Sequence, residues 1–193
     1  MLDVRGCLEE LKNERPVFLS EADFQHALAW KVHEKNPSAK IILEYPVRES
    51  GKTKHMDIVV FLDGCRCAIE LKFKTKEDEV TIYGEPFELS NQSAQDLGRY
   101  DFCKDIERVE KFGKGYAVLL TNDELYWKPG RTNTNDAPFR LNPERGAIHG
   151  RLKGSIKERE GEIILRGTYP LEWKPYSSDG FCYLLLEVQS EYL

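Results

Sequence analysis

The sequence predicts one α/β domain over residues 1–193, with a mixed central sheet flanked by helices. Three observations carry that expectation. The elements run helix, strand, β-hairpin, helix, strand, then an irregular stretch and a last strand. Asp63-Gly64 between two apolar runs is a two-residue hairpin signal, because both central residues of a type I′ turn need positive φ. Tyr116 to Thr121 (YAVLLT) is a continuous apolar run, suited to a strand inside a sheet.

Taken in order, residues 2–14 mix Leu2, Val4, Leu8 and Leu11 with charges and read as a short amphipathic helix, stopped by Pro16. Ser20 is an N-cap, with Asp23 three residues later in the capping position. That helix runs to His33 on a stripe of Phe24, Ala27, Leu28 and Val32, and Asn36-Pro37 ends it. A strand over 41–47 leads into a charged loop over 48–55, then strands over 56–62 and 65–73. A polar stretch, 74–90, precedes a helix over 92–112, where Leu97, Tyr100, Cys103, Ile106 and Val109 recur every three residues. Gly113 and Gly115 close it. Residues 128–180, rich in Gly, Pro and Asn, read as an irregular insertion with one strand-like run at 162–165. The final strand covers 181–188. The aromatics Tyr126, Trp127, Phe139, Tyr169, Trp173 and Tyr176 are expected to pack on the core rather than stack on bases.

Composition narrows the function. With 40% hydrophobic and 32% charged residues the chain is globular rather than disordered or membrane-embedded. The N-terminal segment is too charged for a signal peptide, and a cytoplasmic location is expected. Five cysteines without a CxxC, and four scattered histidines, give no disulfide framework and no zinc signature. A net charge of −5 excludes a general polyanion-binding coat. Residues 48–76, however, hold seven basic side chains against four acidic, so a local basic cleft is expected there.

The third strand concentrates chemistry. Alternation puts Glu70, Lys72 and Lys74 on one face and Ile69, Leu71 and Phe73 on the other. A two-residue turn at Asp63-Gly64 sets Asp57 opposite Glu70. Facing Cβ atoms would be about 4.5–5.5 Å apart, and like charges there are destabilising. Protonation, a bridging cation or solvent would relieve them. Mg²⁺ or Mn²⁺ suits such oxygen ligands, and Lys72 beside it could activate a water or stabilise charge on a phosphate oxygen. The plainer alternative is a solvated face of alternating charges. Against it, Ile58 to Phe61 make the second strand read as buried on both faces, where an acid needs a reason.

Asp57, followed thirteen residues on by Glu70-Leu71-Lys72, resembles the PD-(D/E)XK phosphodiesterase superfamily, and the flanking helix–strand units match that family's order. Ser20 to Gln25 (SEADFQ), with Glu44-Tyr45-Pro46-Val47, is similar to uncharacterised prokaryotic members. The resemblance spans about residues 16–121. It implies a restriction-endonuclease-like αβββαβ core and a divalent-metal-dependent nuclease, a DNA endonuclease of restriction or repair type. Asp57, Glu70 and the Leu71 carbonyl would bind Mg²⁺ or Mn²⁺, and Lys72 would be the catalytic lysine. Glu21, with Gln25 one turn further, would supply the acid of the first core helix. Glu44 is the alternative metal ligand. Both acids have plain readings too: Glu21 favours a helix N-terminus, and Glu44 sits on a surface strand.

Two departures stand out. Met56 replaces the proline, and the helix motif Gln95…Tyr100 is one residue longer than the family's Q-x-x-x-Y. Lys74, Gln95 and Arg99 are candidate nucleic-acid contacts, Arg99 alternatively pairing with Asp96 or Asp101 on a solvated face. The partner implied is nucleic acid, with a homodimer allowed. Alternatives are a non-catalytic nucleic-acid-binding or assembly module of the same fold, or an unrelated α/β protein with a chance motif.

Overall fold

The computed structural model describes residues 2–49, 51–131, 133–156, 159 and 161–189. In chain order the elements are α1 (Val4–Glu14), α2 (Glu21–Lys35), β1 (Lys40–Glu49), β2 (Lys52–Leu62), β3 (Cys65–Lys74), β4 (Asp78–Ile82), β5 (Glu85–Leu89), α3 (Gln95–Phe112), β6 (Lys114–Thr121), β7 (Ala147–Leu152), β8 (Ile163–Pro170), β9 (Trp173–Pro175) and β10 (Cys182–Gln189). Six strands form one mixed sheet in the order β1-β2-β3-β6-β10-β9. Only β3 and β6 are parallel, and α3 is the crossover that a parallel pair requires.

Alternation along β3 and β6 divides the core in two. Ile69, Leu71, Phe73, Val118 and Leu120 pack with Leu8, Phe18, Phe24 and Leu28 of the α1–α2 side. Ala68, Ala117 and Leu119 pack with Phe102, Cys103, Ile106 and Val109 of α3. Both faces are covered, which is why these strands read as nearly unbroken apolar runs. Local signals hold as well. Ser20 Oγ accepts the Asp23 N–H at 3.0 Å. The turn at Asp63-Gly64 has φ of 51° and 74°. Its register runs from Leu62–Cys65 to Ile58–Ile69. Among the described residues, no helix is long and apolar enough to cross a membrane.

Several expectations need correction. The loop over 48–55 is mostly ladder: β1 and β2 continue until Glu49 faces Lys52. Backbone pairing suffices there, and the exposed side chains leave no apolar pattern to read. The polar stretch 74–90 contains the β4–β5 hairpin, turned at Tyr83-Gly84 with φ of 51° and 84°. Of its apolar residues Val80 and Leu89 are buried, too few to give a period. Helix α3 starts at Gln95 because Ala94 is left-handed (φ 78°). Gly113 caps the helix, but Gly115 lies within β6. A Cβ there would come 2.1 Å from the Ala68 carbonyl oxygen, so glycine is what lets β3 and β6 pair at this point.

The stretch 128–180 holds more regular structure than expected. Its strand-like run at 162–165 falls in β8, which forms a hairpin with β7, and β9 follows, while 128–146 holds only short 3₁₀ turns among the described residues. Tyr126, Phe139, Tyr169 and Tyr176 are buried, and the Trp127 and Trp173 rings lie 5.3 Å apart, so these aromatics pack as expected. The free edge of β8 is capped by two buried acids of α3. Glu107 accepts the Ile164 N–H at 3.0 Å. Glu110 accepts the Arg166 N–H at 2.9 Å, the Gly167 N–H at 2.8 Å and the Tyr169 hydroxyl at 2.5 Å. Carboxylates at alternate positions thus act as the missing neighbour strand.

Replacing Glu110 would leave those donors unpaired. Glu110→Ala is expected to lower unfolding free energy by about 2–3 kcal/mol in urea titrations, the cost of stranding buried donors. A midpoint equal to wild type would contradict this role.

Candidate functional site

The sheet is interrupted around Asp57. In the β1–β2 ladder Leu43 faces Ile58 and Tyr45 faces Met56, while the intervening Glu44 and Asp57 are unpaired and Glu44 is left-handed (φ 51°). The β2–β3 ladder stops at Ile58–Ile69. Asp57 and Glu70 are therefore not the facing ladder pair that the register predicts. Asp57 bends out, and its Oδ2 accepts the Leu71 N–H at 2.6 Å. Two residues on, Glu21 Oε2 accepts the Phe73 N–H at 2.9 Å. Where β2 departs, carboxylates from β2 and from the start of α2 take over the exposed edge of β3.

Gln25 fixes this arrangement. Its Nε2 donates to the Asp57 carbonyl at 2.6 Å and to Glu44 Oε1 at 3.0 Å. Both amide hydrogens are thereby used. Gln25 is a clamp between α2, β1 and β2. Glu44 is tied to that clamp on an exposed strand position.

Glu70 is buried at 1% exposure, on the α3 side of the sheet. Two side chains that the sequence reading missed meet it there. Arg108 Nη1 lies 2.9 Å from Glu70 Oε1 and 3.1 Å from Asp105 Oδ1. Asp105 Oδ2 lies 3.0 Å from Lys72 Nζ, which also donates to the Leu71 carbonyl at 3.1 Å and lies 4.0 Å from Glu21 Oε1. The available signal was position: Asp105 and Arg108 are three apart beside the apolar stripe of α3, where charged residues need partners.

Electrostatics show an excess of acid. Burial raises the Glu70 pKa well above the ordinary carboxylate range, helped by the charges of Asp105 and Asp57 and opposed by Arg108. Burial also raises Asp57, opposed by the Leu71 N–H and Lys72. Asp105 moves up for the same reason, against Lys72 and Arg108. Burial alone would lower Lys72, but Asp105, Glu21 and Asp57 outweigh it and keep the ammonium charged. Asp57, Glu70, Asp105 and, at 4.0 Å from Lys72, Glu21 thus share two cations, and Glu70 either holds a proton or takes a further cation.

Oxygen donors of the kind a hard divalent ion takes lie here, but they are not gathered around one point. Asp57, Glu70 and the Leu71 carbonyl offer oxygen only, and buried Glu70 Oε1 has no aligned hydrogen bond. In the present arrangement, no three His, Cys, Asp or Glu side chains among the described residues are grouped as ion ligands, and Arg108 and Lys72 stand between the acids. The site opens into a cleft of about 620 Å³, lined by Asp57, Glu70, Lys72 and Arg108 with Lys52 and Lys54. From the 48–76 segment Lys52, Lys54 and Lys72 face it together with Glu49, Asp57 and Glu70, so the segment brings no net positive charge to the cleft.

The candidate nucleic-acid contacts fare differently. Gln95 donates to Asp123 Oδ2 at 2.7 Å. Arg99 is buried, with Nη2 at 2.6 Å from Asp136 and Nη1 at 3.1 Å from the Leu125 carbonyl. It pairs with Asp136 rather than with Asp96 or Asp101; both residues fasten α3 to the segment after β6. Lys74 is half-buried and does not line the cleft. Comparison with family models, curated proteins and solved structures finds no match to this chain.

Asp136 gives a pH test of that fastening. Burial pushes its carboxyl up, but Thr134, Arg99 and Arg140 outweigh burial and hold it down at about 2, against 3.8 unperturbed. Its stabilising effect is therefore full above the unfolded value and lost as pH falls toward 2. The stability gap between wild type and Asp136→Asn should be widest near neutrality and close as acid is added. A gap independent of pH would contradict the assignment.

Proposed function

We propose that the chain is a divalent-metal-dependent nuclease with a restriction-endonuclease-like PD-(D/E)XK core, acting on DNA. The observation that carries this reading is the 2.6 Å bond from the Leu71 N–H to Asp57 Oδ2. It gathers Asp57, Glu70 and Lys72 at one end of an open, partly basic cleft. The order α2, β1–β2–β3, α3, β6, with β3 and β6 parallel, supports the αβββαβ core.

In this reading Asp57, Glu70 and the Leu71 carbonyl would hold Mg²⁺ or Mn²⁺. The ion would supply Lewis acidity at the phosphate and lower the pKa of bound water. The charged Lys72 ammonium, held by Asp105 and the Leu71 carbonyl, stabilises negative charge developing on a phosphate oxygen. Glu21 orients the Phe73 end of β3 and adds negative field beside Lys72. Lys52 and Lys54 draw the polyanion into the cleft.

A second reading, a non-catalytic nucleic-acid-binding module, is favoured by one observation. Glu70 and Lys72 are already paired to Arg108 and Asp105 within the chain. It predicts salt-sensitive binding indifferent to metal.

The deciding experiment incubates plasmid and linear DNA with Mg²⁺ or Mn²⁺. Wild type should cleave, while Asp57→Ala and Lys72→Ala, folded by circular dichroism, should lose at least about a hundredfold in rate. Equal cleavage by all three would overturn the proposal. Metal-independent binding without cleavage would establish the second reading.

A further inference from the structure

We propose that Arg108 is an exchangeable counter-ion: its guanidinium, which pairs with Glu70, leaves when a divalent ion binds there. The inference rests on the metal-site reading above and goes beyond it. Nothing in the D…E-x-K pattern asks for an arginine here.

The geometry supports exchange at Arg108 rather than at Lys72. Lys72 is held from several sides, by the Leu71 carbonyl, Asp105 and, at 4.0 Å, Glu21. Arg108 reaches the acids through Nη1, while its buried Nε has no hydrogen-bond partner. Its side chain is 20% exposed and lines the open cleft, so a path outward exists. The atom it contacts, Glu70 Oε1, is a buried carboxylate oxygen without an aligned hydrogen bond.

Simultaneous occupancy is the difficulty. An ion bound to Glu70 at about 2.0–2.6 Å would sit within about 3–5 Å of a guanidinium sharing the same carboxylate. Because Glu70 itself is buried, the repulsion at its carboxylate is weakly screened.

The test titrates the full chain with MnCl₂ alone in a calorimeter, at neutral pH and fixed salt. Arg108→Gln should bind Mn²⁺ at least tenfold tighter than wild type, a gain of about 1.4 kcal/mol, because no resident cation is displaced. Arg108→Lys, which keeps the charge, should remain close to wild type. Equal or weaker binding by Arg108→Gln overturns the exchange but leaves the metal site standing. No Mn²⁺ binding by any of the three overturns the metal-site reading and the exchange with it. Wild type supplies a check independent of the folding of the variants. Saturating Mg²⁺ should move the Arg108 Nε–H resonance and speed its exchange with water. An unmoved resonance under Mg²⁺ saturation overturns the proposal.

Discussion

The bond between Asp57 Oδ2 and the Leu71 N–H determines what the end of the sheet can do. A strand that outruns its neighbour exposes backbone donors, and each unpaired buried donor is costly. Here β3 outruns β2 from Leu71 onward, and its donors are taken by side chains: Leu71 by Asp57 and Phe73 by Glu21. The same acids that repair the edge are thereby fixed around Lys72. Gln25 completes the arrangement by satisfying the Asp57 carbonyl from α2. Structure and chemistry use one set of bonds, so an edit to Asp57 changes the strand edge as well as the charge.

Helix α3 performs three tasks at once. Its apolar stripe covers the second face of the sheet. Asp105 and Arg108 enter the site. Glu107 and Glu110 hold the edge of β8 on the far side. These roles need three directions around one helix, and the sequence shows only the apolar one as a period. This is why spacing marks Ile106 and Val109 as core, while Asp105, Glu107, Arg108 and Glu110 carry no period that shows their partners.

What could be read in advance was whatever has a local cause. The Ser20 cap, the Asp63-Gly64 turn, the two-sided strands β3 and β6 and the face shared by Glu70 and Lys72 all follow from spacing within a few residues. What could not be read depends on partners distant in the chain. Arg99 finds Asp136 thirty-seven residues away, inside a segment that carried no period. Gln25 finds Asp57 across thirty-two residues. The Asp57–Glu70 register failed for a related reason: counting from the turn assumes continued backbone pairing, and a carboxylate that captures an N–H ends it.

The left-handed backbone at Glu44 has one more consequence. β1 has β2 as its only sheet neighbour among the described residues, so its outer edge is an open template for another chain. An open edge invites polymerisation when it is straight and regularly spaced. The kink at Glu44 breaks that spacing in mid-strand, and Pro46, two residues later, has no N–H to donate. The distortion that helps shape the site thus also guards the molecule against growing into a fibre along this side.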